Sequence, residues 1–160
     1  MEKIKIKKIP FKLNGTIIEK NTKLEFKAKD KDDKDFFITD IKGKKVISLF
    51  PDINTRICDA QTKQIAQMAN KYKDITFISI STDSVEIQKK WCAANGLENI
   101  IIISDKEYKD FAIKTNTLIN KIKKLVRGFI LLDENNIIQG ISINKEVSSD
   151  PDYDVLNTWL

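Results

Sequence analysis

The sequence predicts an α/β fold, and three observations carry that prediction. From residue 45 to about 114, short apolar runs rich in β-branched residues alternate with segments whose apolar positions recur at helical spacing. Strands that alternate with helices pair in parallel through right-handed crossovers. Two later runs, 127–132 and 137–143, are separated only by Asp133-Glu134-Asn135-Asn136, so the sheet is expected to close with antiparallel strands. No repeat, low-complexity tract or linker interrupts the 160 residues. Residues 1–160 therefore read as one domain, a length at which folding buries roughly 70% of the unfolded surface.

The elements follow in order. Residues 3–9 alternate charge with isoleucine, as a half-buried strand does. Asn14-Gly15, between Phe11-Lys12-Leu13 and Thr16-Ile17-Ile18, is a two-residue hairpin signal, because both turn positions want positive φ. The chain is thus expected to open with a β-hairpin over 3–18. Residues 20–35 are polar and highly charged and read as a connection, Phe36-Phe37-Ile38-Thr39 as a short strand, and Lys42-Gly43-Lys44 as a turn. A buried strand spans 45–50. Ile65, Met68, Ala69 and Tyr72 place a helix over 58–72. A second strand covers 75–80, and a helix from about 84 to 95 is capped by Thr82 or Asp83 and ended by Gly96. Residues 99–103 form a wholly apolar strand, and Asp105 to about Lys114 a short helix. After the closing strands, Asp150 caps a final helix with Pro151 in its first turn. The order is hairpin, βαβαβα, ββα. A βαβ half joined to a ββα half is the thioredoxin-like plan.

Composition narrows the function. The formal charge is +5, with acidic and basic residues interspersed as in Asp30-Lys31-Asp32-Asp33-Lys34-Asp35. No basic stripe is interleaved with aromatics, so a nucleic-acid partner is not expected. No run approaches the ~20 apolar residues of a membrane span, and the alternating N-terminus lacks the apolar core of a signal peptide. A cytoplasmic protein is expected, with its two cysteines reduced at rest. Two cysteines and no histidine leave too few soft ligands for zinc, and no cofactor is called for.

Cys58 is the residue most suited to chemistry. It lies just past the carboxyl end of strand 45–50, where open α/β sheets collect ligands, and at the start of a helix, whose partial positive charge favours a thiolate. Without histidine, activation falls to helix dipole, hydroxyl or arginine. Thr55 lies one turn before the sulfur, Pro51 stiffens the loop, and Arg56 and Arg127 are candidate cations, with Asp59 opposing them. The other cysteine, Cys92, follows Trp91 late in the second helix.

These residues resemble a known family. Pro51, Thr55 and Cys58 match the Pro-x-x-x-Thr-x-x-Cys element of the peroxiredoxins, and Asp59-Ala60-Gln61-Thr62 and Trp91-Cys92 resemble the bacterial thiol peroxidase subgroup, the atypical two-cysteine type. Leu125 to Asp133 resembles the strand that carries the family's active-site arginine, and Pro151-Asp152-Tyr153 the subgroup's tail. The chain departs at 23–30, which lacks the usual glycine and proline and so leaves open the packing beside the active site. It departs again at 111–116, which lacks the usual glycines and tyrosine, and at Arg56, where a small residue is common.

The resemblance implies a peroxidase that reduces hydrogen peroxide and alkyl hydroperoxides. Cys58 would be the peroxidatic thiol and Cys92 the resolving one, with an intrachain Cys58–Cys92 disulfide recycled by thioredoxin. Thr55 and Arg127 would hold the peroxide oxygens, Pro51 would support the loop, and the main chain at Ile57 and Cys58 would add donors. A homodimer is implied as well. Because a disulfide needs Cα atoms about 4.4–6.8 Å apart, both cysteine segments are expected to unwind during the cycle. One alternative is a degenerate thioredoxin-fold redox sensor or holdase without turnover. A dithiol oxidoreductase would need the Cys-x-x-Cys pair that is missing here.

Overall fold

The computed structural model describes residues 3–160. Its main sheet has seven strands in the order β11 (Ile138–Ile143), β10 (Gly128–Leu132), β5 (Lys44–Leu49), β6 (Ile75–Ser81), β7 (Ile101–Ser104), β3 (Lys27–Asp30) and β4 (Asp35–Phe37). The parallel centre is the one the alternating pattern requires. β5 (Lys44–Leu49) pairs with β6 (Ile75–Ser81), and β6 pairs with β7 (Ile101–Ser104). The crossovers are α1 (Arg56–Lys71) and α2 (Val85–Ala94). β10 (Gly128–Leu132) adds antiparallel to β5 and to β11 (Ile138–Ile143), and α4 (Tyr153–Thr158) follows.

Strand alternation divides the core. Ile47 and Leu49 of β5 join Ile78, Ile80, Ile103 and Ile130 in the larger apolar cluster. Val46 faces the other way, with Phe77, Phe129, Ile65 and Met68 of α1 and Leu156 of α4. Ser48 shares the Val46 face and meets Gln61 of α1. A third cluster gathers Phe50, Ile53, Cys58, Trp91, Cys92 and Ile102 where α1 and α2 leave the strand ends.

Several expectations need correction. The opening hairpin exists, but β1 (Lys3–Ile6) pairs with β2 (Ile9–Lys12), and the turn is Lys7-Lys8, not Asn14-Gly15. Both lysines adopt positive φ. The Glu146 carboxylate accepts their N–H groups at 3.1 and 2.7 Å, a tertiary contact that offsets the turn's local cost. The Ser148 hydroxyl, with these N–H groups, holds Glu146 down to about 2. Leu13 is instead buried in a bridge to Ile119.

The charged stretch 20–35 is more than a connection. β3 (Lys27–Asp30) lies in the main sheet between β7 and β4 (Asp35–Phe37), with Ala28 fully buried, and Ile38–Asp40 form a 3-10 turn rather than a strand. Helix caps also shift. Ser84, not Thr82 or Asp83, caps α2 by accepting the Ile87 N–H, and Asp152, not Asp150, caps α4 by accepting the Val155 N–H. The sequence pattern marks neither of two short strands, β8 (Leu118–Ile119) and β9 (Lys124–Leu125).

Asp105 does not begin a helix. Its carboxylate reaches forward to the N–H groups of Phe111 (3.0 Å) and Ala112 (2.9 Å), and α3 spans Asp110–Thr115. Burial pushes Asp105 up to about 6, against the pull of those two N–H groups. A carboxyl raised above its unfolded value binds its proton first in the folded chain. Its stabilising contribution is therefore present at low pH and is lost as pH rises through about 6. Asp105→Asn should remove this dependence. Between about pH 4 and about pH 7 the difference in unfolding free energy should shift in the variant's favour by on the order of 1–3 kcal/mol. Urea denaturation of both proteins at the two pH values measures the shift; a constant difference would assign the titration elsewhere.

Candidate active site

The loop between β5 and α1 carries the site and is pinned from two sides. The Asp83 carboxylate accepts the Ile53 N–H at 2.8 Å and the Ser81 hydroxyl at 2.7 Å. Burial raises Asp83, and those two donors oppose the rise. From the other side Lys124 of β9 pairs with Asp52 at 2.8 Å. Burial pushes the Asp52 carboxyl up, but the Lys124 ammonium and the Asn54 N–H outweigh it, and the net direction is down.

Cys58 lies in the first turn of α1 and is fully buried. Arg127 Nη1 donates to its sulfur at 3.3 Å, and the Asp52 N–H approaches it at 3.5 Å. The guanidinium is held in turn. Its Nε donates to the Val147 carbonyl at 2.7 Å, and Nη1 donates to Gln61 Oε1 at 3.0 Å. Gln61 is locked by Nε2 contacts to Ser48 Oγ (2.8 Å) and the Leu49 carbonyl (3.1 Å). Among the described residues no carboxylate pairs with Arg127, so this buried cation is free to complement a sulfur anion. The Ile57 and Cys58 amides belong to the first turn, where a helix leaves N–H groups without intrahelical acceptors.

Thr55 occupies the N-cap, but its hydroxyl donates to the Asp52 carbonyl at 2.8 Å and makes no hydrogen bond to the sulfur. Pro51, Thr55 and Arg127 all line one pocket of ≈ 520 Å³, while Cys58 does not line it and sits behind the pocket wall. Arg56 is exposed at the same pocket. Another hollow of ≈ 380 Å³, near Ile65 and Phe77, carries no charged side chain and no sulfur.

Cys92 is buried on α2 in the same apolar cluster as Cys58, and both thiols are free. Burial pushes the Cys92 thiol up, with Lys31 opposing and Glu98 adding to the rise. Trp91 Nε1 donates to Asp59 Oδ1 at 2.9 Å, which ties α2 to the first turn of α1. The other Asp59 oxygen pairs with Lys63 at 2.9 Å. Asp59 is thus engaged by Trp91 and Lys63 rather than by the sulfur. Among the described residues no cluster of His, Cys, Asp and Glu suits a metal ion.

The sequence pattern marks none of Gln61, Asp52, Asp83 and Lys124 as a site residue, and marks Asp83 only as a helix-cap candidate. For Gln61 a signal was present, since an amide one helical turn after Cys58 projects from the same face. The others contribute through contacts that no local pattern encodes. The atypical segments 23–30 and 111–116 pack on each other. Phe26 meets Phe111 edge to face at 5.0 Å, the Lys27 N–H bonds Asp110, and Lys114 bonds the Glu25 carbonyl. Phe26 and Phe111 belong to the larger core cluster, not to the one that holds Cys58.

The residue after Arg127 must be a glycine for β10 and β11 to approach as they do. A Cβ on Gly128 would sit 2.2 Å from the Ser142 carbonyl oxygen and 3.0 Å from the Ile143 Cα, both backbone atoms that cannot rotate away. Gly128→Ala should destabilise the fold by about 1–3 kcal/mol and displace Arg127. Thermal unfolding read beside the rate of Cys58 oxidation checks this. An alanine variant with wild-type stability would show that β10 and β11 can separate freely.

Comparison with known proteins places the chain in a family. The sequence profile described as "AhpC/TSA family" matches residues 20–141. A thiol peroxidase of Oceanobacillus iheyensis is 37% identical over 124 residues, 77% of this chain and 76% of its own. A Staphylococcus saprophyticus thiol peroxidase is 32% identical over 156 residues, 96% and 94% of the two chains. In structure, a thiol peroxidase from Chromobacterium violaceum superposes with a TM-score of 0.87 at 16% identity, covering 98% of this chain and 94% of its own. A peroxiredoxin-like protein from Aquifex aeolicus gives 0.86 at 20%, covering 99% and 95%. The fold is that of the peroxiredoxins, and the chain belongs to the AhpC/TSA family, on its thiol peroxidase branch.

Proposed function

We propose that this chain reduces peroxides at Cys58, resolves the oxidised sulfur with Cys92, and is recycled by thioredoxin. The observation that carries the reading is the Arg127 guanidinium 3.3 Å from the Cys58 sulfur, at the edge of a pocket that Thr55 also lines. The Cys58 thiolate attacks the terminal peroxide oxygen. An S–O bond forms and the O–O bond breaks; the terminal O–H stays on the sulfur as a sulfenic acid, and the departing alkoxide, or hydroxide from hydrogen peroxide, takes a proton from solvent and leaves as alcohol or water. Arg127 stabilises the charge that moves onto the departing oxygen. Thr55 receives the O–H of the incoming peroxide on an oxygen that already donates to Asp52.

The sulfenic acid at Cys58 is the first rung of thiol oxidation. The Cys92 sulfur attacks it, an S–S bond forms, and water leaves. An external dithiol then reduces that bond by exchange, becoming a disulfide itself. Since Cys58 is covered and Cys92 is held on α2, the first turn of α1 and the Cys92 segment open between the steps. The Asp59–Trp91 contact is one that this opening breaks. We also infer a homodimer and a cytoplasmic setting, where reduced cysteines persist.

The experiment is peroxide consumption coupled to reduced thioredoxin. Turnover stoichiometric with reductant supports the proposal. Oxidation of Cys58 without turnover would mark a redox sensor or holdase instead.

A further inference from the structure

The pocket beside Cys58 is unevenly charged. Lys7, Arg56, Lys124 and Arg127 line it, against a single carboxylate, Asp52. Two of the cations have partners, since Lys124 pairs with Asp52 and Arg127 serves Cys58, Gln61 and Val147. The Lys7 ammonium and the Arg56 guanidinium have no acidic partner among the described residues. Glu146 lies near Lys7, but its oxygens accept the N–H groups of Lys7, Lys8 and Ser148 and the Ser148 hydroxyl. The rest of the wall is largely aliphatic, from Ile6, Ile57, Ile122 and Val147.

We propose that Arg56 and Lys7 make this site selective for organic hydroperoxides that carry a carboxylate. The inference rests on the peroxidase reading and adds the substrate class. A volume of ≈ 520 Å³ suits a small molecule rather than a segment of a macromolecule. Aliphatic walls favour a carbon skeleton over hydrogen peroxide, which has no apolar surface to bury. Two unpaired cations at the wall favour an anionic head, and a guanidinium pairs with a carboxylate through two parallel hydrogen bonds. The peroxide end then lies toward Arg127 and the carboxylate toward Arg56, with the skeleton along the isoleucines. Unpaired charge at a pocket mouth also speeds the encounter with anions, and salt screens that effect.

The test uses the pre-reduced full chain without thioredoxin, so that recycling plays no part. Stopped-flow fluorescence follows oxidation of Cys58 by 4-hydroperoxy-4-methylpentanoic acid and by its uncharged methyl ester, which shares the carbon skeleton. The wild-type second-order rate should favour the carboxylated peroxide by about tenfold at low ionic strength, shrinking as salt is raised. Arg56→Gln should cut that ratio at least about threefold, and Arg56→Gln with Lys7→Gln should bring it near one. Lys20→Gln, an exposed lysine outside the pocket, should keep it. Equal rates for the two peroxides in wild type, or a ratio that survives the double variant, would overturn the selectivity while leaving the peroxidase intact. Reaction with neither peroxide would overturn both.

Discussion

Changing Cys58 to serine should abolish peroxide consumption, while changing Cys92 to serine should leave one rapid equivalent and no turnover with thioredoxin. The asymmetry follows from the surroundings of the two sulfurs. Cys58 has a guanidinium and a main-chain N–H directed at it. Cys92 has apolar neighbours, and its thiol is driven toward the protonated form by burial. Only the first environment offers hydrogen-bond donors to a sulfur that attacks an O–O bond. Serine at 58 keeps the volume but supplies a hydroxyl that does not ionise near neutral pH. Serine at 92 should leave that attack in place and remove the proposed disulfide partner, so the sulfenic acid should persist until a second peroxide or an added thiol consumes it. Trapping the sulfenic acid with a carbonyl nucleophile such as dimedone, beside coupled turnover, reads both outcomes. Sustained thioredoxin-coupled turnover in the Cys92→Ser variant would remove Cys92 from the resolving step, and trapping of the sulfenic acid on Cys92 would reverse the two roles.

Arg127→Ala should slow oxidation of Cys58 by about a hundredfold or more, the scale seen when one preorganised donor to a developing charge is lost. The same change leaves the Gln61 side-chain oxygen and the Val147 carbonyl without their donor, at a cost of about 1–3 kcal/mol each where no water replaces it. Arg127→Lys separates the two effects. An ammonium retains the charge but lacks the planar fork that spans sulfur, amide and carbonyl at once. It should recover stability more fully than rate. Equal oxidation rates in wild type and Arg127→Ala, in a variant shown to be folded, would leave the guanidinium a structural role alone.

Much of the framework was legible in the chain. The runs at 45–50, 75–80, 99–103 and 127–132 lie close to β5, β6, β7 and β10, because a strand buried on both faces must be apolar throughout. Cys58 and Arg127 were candidates from local sequence, and the fold brings them into contact. Other elements were hidden for specific reasons. β3 reads Lys27-Ala28-Lys29-Asp30, and its only fully buried side chain is an alanine, too weak an apolar signal to mark a strand. Asn14-Gly15 carries the stronger local turn signal, yet the turn forms at Lys7-Lys8, where Glu146, far along the chain, binds two backbone N–H groups. Asp83 has the composition of a helix cap, but it binds the Ile53 N–H of the Cys58 loop instead.

The sequence by itself determined the alternation of strands and helices, the place of a cysteine at a helix start, and the supply of cations near it. These are properties of spacing and residue type, which local backbone geometry converts directly into faces and ends. Only the tertiary structure decided that Gln61 and Val147 hold the Arg127 guanidinium, that Thr55 bonds to Asp52 rather than to Cys58, that Asp59 is drawn off by Trp91, and that Arg56 and Lys7 share a pocket wall. Each of those outcomes joins residues distant in sequence or picks one of several acceptors within reach. Such choices are made by the packing of the whole chain, because a buried polar group takes whichever partner the surrounding fold holds at hydrogen-bonding distance.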